Sequence, residues 1–316
     1  MNQLELPKII IICGPTGVGK TGFAIRLAQR FGGQIVGADS MQIYRRMDIG
    51  TAKPTAAEQA AVRHHLVDIV DPGDDFDAAD YGRRAGTVIQ ELVDAGVVPF
   101  VVGGTGLYIK ALVYGLFQGR SADPAVRRGL KAELAEQGAA ALHARLGRLD
   151  PQAAARIHPN DAYRILRALE VITATGRPIS DHHGTHGFAR ARYQTLTIGL
   201  ELPREALYAR IDQRVEAMLA AGLLEEVRGL LAQGCDPGLK AMQSLGYRHL
   251  TEFLQGRLTW EEALRTLKRD HRRYAKRQFT WFKALADIHW LAPDQVETAA
   301  EMVAAFLLAK PAPGAG

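Results

Sequence analysis

Cysteine is scarce: the 316 residues hold two, Cys13 and Cys235. Two thiols cannot build a disulfide framework or a zinc site by themselves. No apolar run is long enough to span a bilayer, and the N-terminus lacks a basic segment leading into an apolar stretch and a cleavage site. No membrane partner is therefore expected, and the expected location is cytoplasmic. Hydrophobic content of 47% and charged content of 23% are ordinary for a soluble globular protein. The length is enough for one α/β core plus a second unit.

Proline and glycine are both missing from Trp260 to Ala286, which predicts one long helix there. The whole excess of positive charge sits on it. The net charge is +5, and the stretch Arg265–Lys283 holds eight of the 39 basic residues but one of the 34 acidic ones, Asp270. Without that stretch the chain is slightly acidic. Arg265, Arg269, Arg272, Arg273 and Lys276 recur at helical steps of three and four, which gathers them on one side. Tyr274, Phe279, Trp281 and Phe282 are interleaved. A basic stripe with aromatics suits a phosphate backbone; a solvated charged face over an aromatic core is the alternative.

At the other end, Lys8-Ile9-Ile10-Ile11-Ile12-Cys13 reads as a buried strand running into Gly14-Pro15-Thr16-Gly17-Val18-Gly19-Lys20-Thr21. That octapeptide fits the P-loop pattern of nucleotide-binding and ATP-binding proteins at each fixed position. Apolar residues at Phe23, Ala24, Leu27, Ala28 and Phe31 predict the helix that should follow. In such a loop the backbone N–H groups and the helix N-terminus face an oxyanion. Lys20 can reach an outer phosphate, and the Thr21 hydroxyl can ligate Mg2+. The loop alone does not separate a nucleoside triphosphate from a diphosphate ester. A P-loop small-molecule kinase stays open at this point.

A second strand, Gln34–Ala38, ends on Asp39. Residues past the carboxyl ends of strands line the ligand crevice of an open α/β sheet, so Asp39 is expected near the P-loop, with a turn cap as the alternative. The segment to Pro72, with His64, His65 and Asp68, reads as loop over the site. A helix is expected over about Ala79–Ala95. A strand from Val97 to Val102 delivers Gly103-Gly104-Thr105-Gly106-Leu107-Tyr108, where glycine permits close backbone approach and Thr105 offers a hydroxyl or a helix cap. Strand signals then vanish from about Gln118 to Arg192, and alanine-rich helical patterns take over until Leu196–Leu200 returns to the sheet. The predicted architecture is α/β, a P-loop NTPase-like core with a parallel sheet flanked by helices, over 1–117 and 195–316, interrupted by a helical insertion domain over 118–194. His182, His183 and His186 have a spacing that a metal could use, but a loop that touches solvent or nucleic acid is the expected reading.

Several blocks now add up. Gly14-Pro15-Thr16 with Gly19-Lys20-Thr21, Asp39-Ser40 with Gln42, Met47 through Pro54 and Gly103 through Tyr108 come first. Arg156 through Asp161, Arg167-Ala168-Leu169-Glu170, Gly222-Leu223 with Glu225-Glu226-Val227, Gly246-Tyr247, and Ala275-Lys276-Arg277-Gln278 with Thr280-Trp281 follow. In this order, over nearly the whole chain, they resemble the tRNA dimethylallyltransferases. The sequence departs from that pattern at Gly17, Val18 and Gln243-Ser244-Leu245, and a bacterial-type member, without the zinc-finger extension of eukaryotic relatives, is expected.

The resemblance implies transfer of a dimethylallyl group from dimethylallyl diphosphate to the exocyclic amine of the adenine just 3′ of a tRNA anticodon. It gives Asp39 as base and Thr105 as a second catalytic group, and it places the diphosphate in the P-loop with Mg2+ at Thr21. Arg210 or Arg214 adds a cationic partner, with Arg214 taken for the site. The tRNA contacts it implies are Asp39, Ser40, Met41, Gln42 and Thr105, then Arg127, Tyr163, Arg164, Ile165, Leu166 and Arg167. Toward the C-terminus they are Gln243, Gly246, Tyr247, Arg248, Lys276, Arg277, Gln278, Thr280, Trp281 and Lys283. A monomer is expected.

Overall fold

The computed structural model describes residues 6–115, 124–181 and 191–309. The chain divides into two compact units, one of Met1–Val113 with Arg192–Gly316 and one of Tyr114–Ala191. The three histidines at 182, 183 and 186 and the tail from Lys310 lie outside the described residues.

The first unit is built on a six-stranded sheet in the order β3-β2-β4-β1-β5-β6, parallel throughout. Its strands are β1 (Lys8–Cys13), β2 (Gly33–Gly37), β3 (His64–His65), β4 (Val98–Gly103), β5 (Gln194–Leu200) and β6 (Ile288–Leu291). The apolar run of β1 shows no alternation because the strand is central and covered on both faces: Ile9, Ile10, Ile12 and Cys13 are fully buried. Pro99 is tolerated because pairing of β4 with β1 starts only at Phe100.

Helix α1 (Lys20–Arg30) buries Phe23, Ala24, Leu27 and Ala28 against the sheet, where they join Ile10, Ile12, Phe100 and Ile198 in the main core. Helices α2 (Ala56–Ala61), α3 (Ala78–Asp94) and α4 (Gly106–Tyr114) follow. The first two open with capping boxes, Thr55 with Glu58 and Asp77 with Asp80, each of which stabilises its helix start by about 1 kcal/mol. The segment expected as loop up to Pro72 therefore contains α2 and the edge strand β3.

The second unit holds α5 (Pro124–Leu149), α6 (Pro151–Arg156) and α7 (Ala162–Thr175). Gly138, at φ 80°, breaks α5 in two. A small core of Leu130, Leu142, Leu146, Ala153, Ile165 and Leu169 holds the three helices together. Asp150, 1% exposed, accepts the Ala153 and Ser180 amides at 2.9 Å each and so closes the turn into α6.

The chain then returns through β5 to α8 (Arg204–Ala220), α9 (Leu223–Ala232), α10 (Tyr247–Leu254), α11 (Trp260–Lys283), β6 and α12 (Val296–Leu308). The long basic helix is α11, started by a Thr259–Glu262 capping box. It stops at Lys283, three residues short of the expected end. No described helix is long and apolar enough to cross a membrane.

Candidate active site

Three strand ends meet here. β1 ends in the P-loop, where Gly14 has φ 141° and a Cβ would lie 2.6 Å from the Leu200 carbonyl oxygen. Gly19, left-handed at φ 103°, starts α1. Val18 is fully buried in the core, which accounts for an apolar residue there. β2 ends at Gly37, two residues before Asp39, and β4 at Gly103, just before Gly104-Thr105. Their proximity is built by main-chain bonds: Ala38 N donates to Val102 O at 2.7 Å and Thr105 N to Ala38 O at 3.1 Å. The glycines are required by the protein's own packing. A Cβ on Gly103 would strike the Ala38 carbonyl, one on Gly104 the Gln278 amide, and one on Gly106 the Trp281 indole.

Thr105 does not cap its own helix. Its Oγ1 accepts the Ser40 amide at 3.0 Å and lies 3.3 Å from Ser40 Oγ. Asp39 does cap: its Oδ1 accepts the Met41 amide at 2.8 Å and the Gln42 amide at 3.4 Å. That leaves Asp39 Oδ2 with no partner among the described residues. The turn reading and the functional one are therefore compatible.

Two cavities flank this carboxylate. A larger one of about 1090 Å³ runs along the P-loop and is lined by Lys20, Thr21, Asp39, Arg210 and Arg214. A smaller one of about 550 Å³ is lined by Asp39, Ser40, Met41, Gln243, Arg248, Arg273 and Arg277. Thr16, Asp39, Thr51, Arg214, Met218 and Tyr274 border both. Arg210 borders only the larger.

Burial dominates the electrostatics. It pushes the Lys20 ammonium down to about 8, an effect that Asp39 opposes and Arg214 reinforces. Lys20 Nζ donates to the Pro15 carbonyl at 2.8 Å, so it is held in the loop it would use. Burial also lowers Arg214, again against the pull of Asp39. It raises Cys13 to about 12, which marks that thiol as packing. Lys53 borders the larger cavity, yet its Nζ is held by Asp48 and Asp68 at 2.5 Å each. It has no charge left over for a ligand.

Among the described residues no group of three His, Cys, Asp or Glu could cage a metal. The donor set at the P-loop is one hydroxyl, Thr21, and one carboxylate, Asp39, in a cavity that Lys20, Arg210 and Arg214 also line. That is the kind of site Mg2+ takes, with few protein ligands and the rest from phosphate and water.

The remaining predicted contacts divide. On α11, Lys276, Arg277, Thr280, Trp281 and Lys283 are exposed, and Lys283 stacks over Phe279 at 4.5 Å. Gln278 is 6% exposed; it accepts the Thr16 amide at 2.9 Å and donates to Gly104 O at 3.0 Å. Its job is internal, and it removes Thr16 N–H from the anion cradle expected from the sequence. Tyr247 is fully buried, with its hydroxyl on Glu226. Gly246 is buried as well, whereas Gln243 and Arg248 reach the surface. In the second unit Ile165 is fully buried and Tyr163 is 71% exposed. Leu166 packs against the small core, and Arg164 pairs with Asp161 at 3.5 Å. Arg127 and Arg167 share the buried Glu170 at 3.3 and 3.5 Å.

The basic stripe is less free than its sequence. Arg272 makes a two-bond pair with Asp212 at 2.6 and 2.7 Å, and Asp270 gathers Arg248, Arg269 and Arg273. The Arg269 hydrogen bond leads in holding the Asp270 carboxyl down at about 2. Sequence reasoning names Tyr274, Asp270 and Glu226 only as members of a stripe or a block and gives none of them a role at the site. Their roles depend on contacts between distant segments, for which periodicity carries no signal.

Known proteins are similar to this chain in sequence and fold. The IPP transferase family model matches residues 42–285. The chain is 57% identical to the tRNA dimethylallyltransferase of Desulfosudis oleivorans over 92% of each chain. It is 56% identical to that of Syntrophobacter fumaroxidans over 92% of this chain and 84% of the relative. Among solved structures it is similar to the tRNA isopentenylpyrophosphate transferase of Bacillus halodurans, with TM-score 0.71, 41% identity and 95% and 96% of the two chains covered. It is also similar to a eukaryotic dimethylallyltransferase solved acting on tRNA, with TM-score 0.83, 28% identity and 98% and 81% covered. The chain belongs to the IPP transferase family, the family of the tRNA dimethylallyltransferases.

Proposed function

We propose that this chain transfers the dimethylallyl group of dimethylallyl diphosphate to N6 of the adenosine immediately 3′ of the anticodon in tRNA, releasing diphosphate. Family membership favours this prenyltransferase reading over the kinase. The observation that carries it is the position of Asp39 on the border of two cavities, one lined by phosphate-binding groups and one by arginines.

An adenine amino nitrogen is a poor nucleophile, because its lone pair is drawn into the ring. As N6 bonds to the allylic carbon, the carbon–oxygen bond to diphosphate breaks and the oxygen keeps the electron pair. The N6 proton passes to Asp39 acting as general base. Charge developing on the leaving diphosphate is met by the P-loop amides, Lys20 and Arg214. A divalent cation, Mg2+ by its donor set, would sit at Thr21 and neutralise diphosphate oxygens. Thr105 holds Ser40, and so the Asp39–Gln42 turn, in place.

A stacked base cannot reach Asp39, so the adenosine must be flipped out, at a cost of a few kcal/mol. The smaller cavity is its entrance, with Arg248, Arg273 and Arg277 for the flanking phosphates. Ser40 and Gln42 read the base edge. On the second unit, exposed Tyr163 and the Arg127–Arg167 pair supply stacking and charge for the anticodon stem. The tRNA substrate places the work in the cytoplasm, and one chain carries all the groups the step needs.

Labelled dimethylallyl diphosphate, unmodified tRNA and Mg2+ without ATP test the reading, beside a reaction offering free AMP. Label in tRNA alone is the expected result. Label in AMP would make this an adenylate prenyltransferase.

A further inference from the structure

The segment 47–54 borders both cavities, and one carboxylate holds it. Glu226 on α9 accepts the Asp48 and Ile49 amides on Oε2 at 2.9 and 2.8 Å. Its Oε1 accepts the Gly50 amide at 3.1 Å and the Tyr247 hydroxyl at 2.5 Å. Four donors converge on one side chain, and three are successive backbone amides. A Cβ on Gly50 would strike the Tyr247 ring, so the turn is pressed from the other side too.

This pinning has a chemical consequence two residues on. The Thr51 and Ala52 carbonyls both accept from Gln42 Nε2, at 3.2 and 3.0 Å. Both N–H bonds of the Gln42 amide are thereby engaged. What Gln42 has left is Oε1, an acceptor only, without a partner among the described residues. Gln42 lines the same cavity as Asp39, and its backbone N–H is one of the donors to Asp39 Oδ1.

Adenine N6 carries two N–H bonds, and the transfer step removes one. We infer that Gln42 Oε1 accepts the other, and that Glu226 is the positioning residue that keeps Gln42 in this acceptor orientation. The inference rests on the prenyl-transfer reading. A guanine would present a carbonyl oxygen to two acceptors, and a purine without the amino group would present a C–H; either leaves polar groups unpaired.

The test uses anticodon stem-loops carrying adenine or unsubstituted purine at the acceptor nucleotide, bound to the full chain with Mg2+ and diphosphate. The wild-type protein is expected to prefer the adenine loop about tenfold, the worth of one well-made hydrogen bond. Glu226→Gln cannot accept from all three amides and should shrink that ratio several-fold, toward the share left to Asp39, as should Gln42→Leu. A purely structural role would weaken both loops equally and leave the ratio alone. If Glu226→Gln does not fold, Tyr247→Phe removes one of the four bonds and should narrow the ratio partway. A ratio near one in the wild type, or unchanged in the Glu226 or Tyr247 variant, overturns the inference. A wild-type protein that transfers no label to the adenine loop overturns the prenyl reading instead.

Discussion

Gln278 accepts the backbone amide of Thr16 at 2.9 Å, so the helix that carries the basic stripe is bolted to the phosphate loop. Its other bond, to Gly104 O, ties the same helix to the strand end that delivers Thr105. P-loop, Thr105 strand end and basic helix thus share one buried side-chain amide.

Gln278→Leu keeps the volume but strands a buried N–H and a buried carbonyl. We expect a loss of about 1–3 kcal/mol in urea unfolding, together with weaker diphosphate binding in calorimetry. Unchanged affinity for both RNA and diphosphate would show that the bolt is decorative.

Asp39→Asn retains a turn-capping oxygen and removes the base. Single-turnover transfer should fall by about two to four orders of magnitude, while stem-loop affinity stays within a few-fold. Loss of binding in step with rate would place Asp39 in recognition alone.

Burial holds Lys20 near 8 in the free protein. Above that value the side chain is neutral, so kcat/KM for the prenyl donor should decline as pH rises past about 8. kcat should persist to higher pH, because bound diphosphate favours the ammonium. Stability moves oppositely: between about 8 and the ordinary 10.5 the unfolded chain binds a proton that the folded chain does not, so folding gains as pH rises through that window. Lys20→Arg should flatten the alkaline limb of kcat/KM. A wild-type profile that stays level to pH 10 would contradict this.

Arg277 and Arg272 lie on one helix but should behave differently. Arg277→Ala should weaken stem-loop binding and reduce the slope of log K against log salt by about 0.7–0.9, one phosphate's share. Arg272 is paired with Asp212, so Arg272→Ala should leave the slope intact and lower stability by about 1 kcal/mol. Salt titrations of both variants decide it.

Much of this was legible in residue order. The P-loop, the strand ending on Asp39, the glycines before Thr105 and the uninterrupted helix from Trp260 each carry a local signature, because each is fixed by neighbours close in sequence. The edge strand His64–His65 and the last strand Ile288–Leu291 have too few residues to show a period. Tyr247 and Gln278 fall inside motif blocks, and Ile165 inside an implied RNA-contact segment, yet all three are buried; a motif marks which positions matter, not whether the side chain serves the ligand or the scaffold. Glu226 shows the same limit from the other side, since its amide partners lie about 180 residues away.

The strand order has a consequence for biosynthesis. β1 pairs with β4 on one edge and β5 on the other, and the residues of the second unit lie between those two strands in the chain. As the chain leaves the ribosome, β1, β2 and β4 can assemble early, but the other edge of β1 stays open until β5 has emerged. An open apolar edge recruits any passing strand. The P-loop is thus first in the sequence and among the last parts to be closed, and a chain cut short inside the second unit would carry it on an exposed sheet edge.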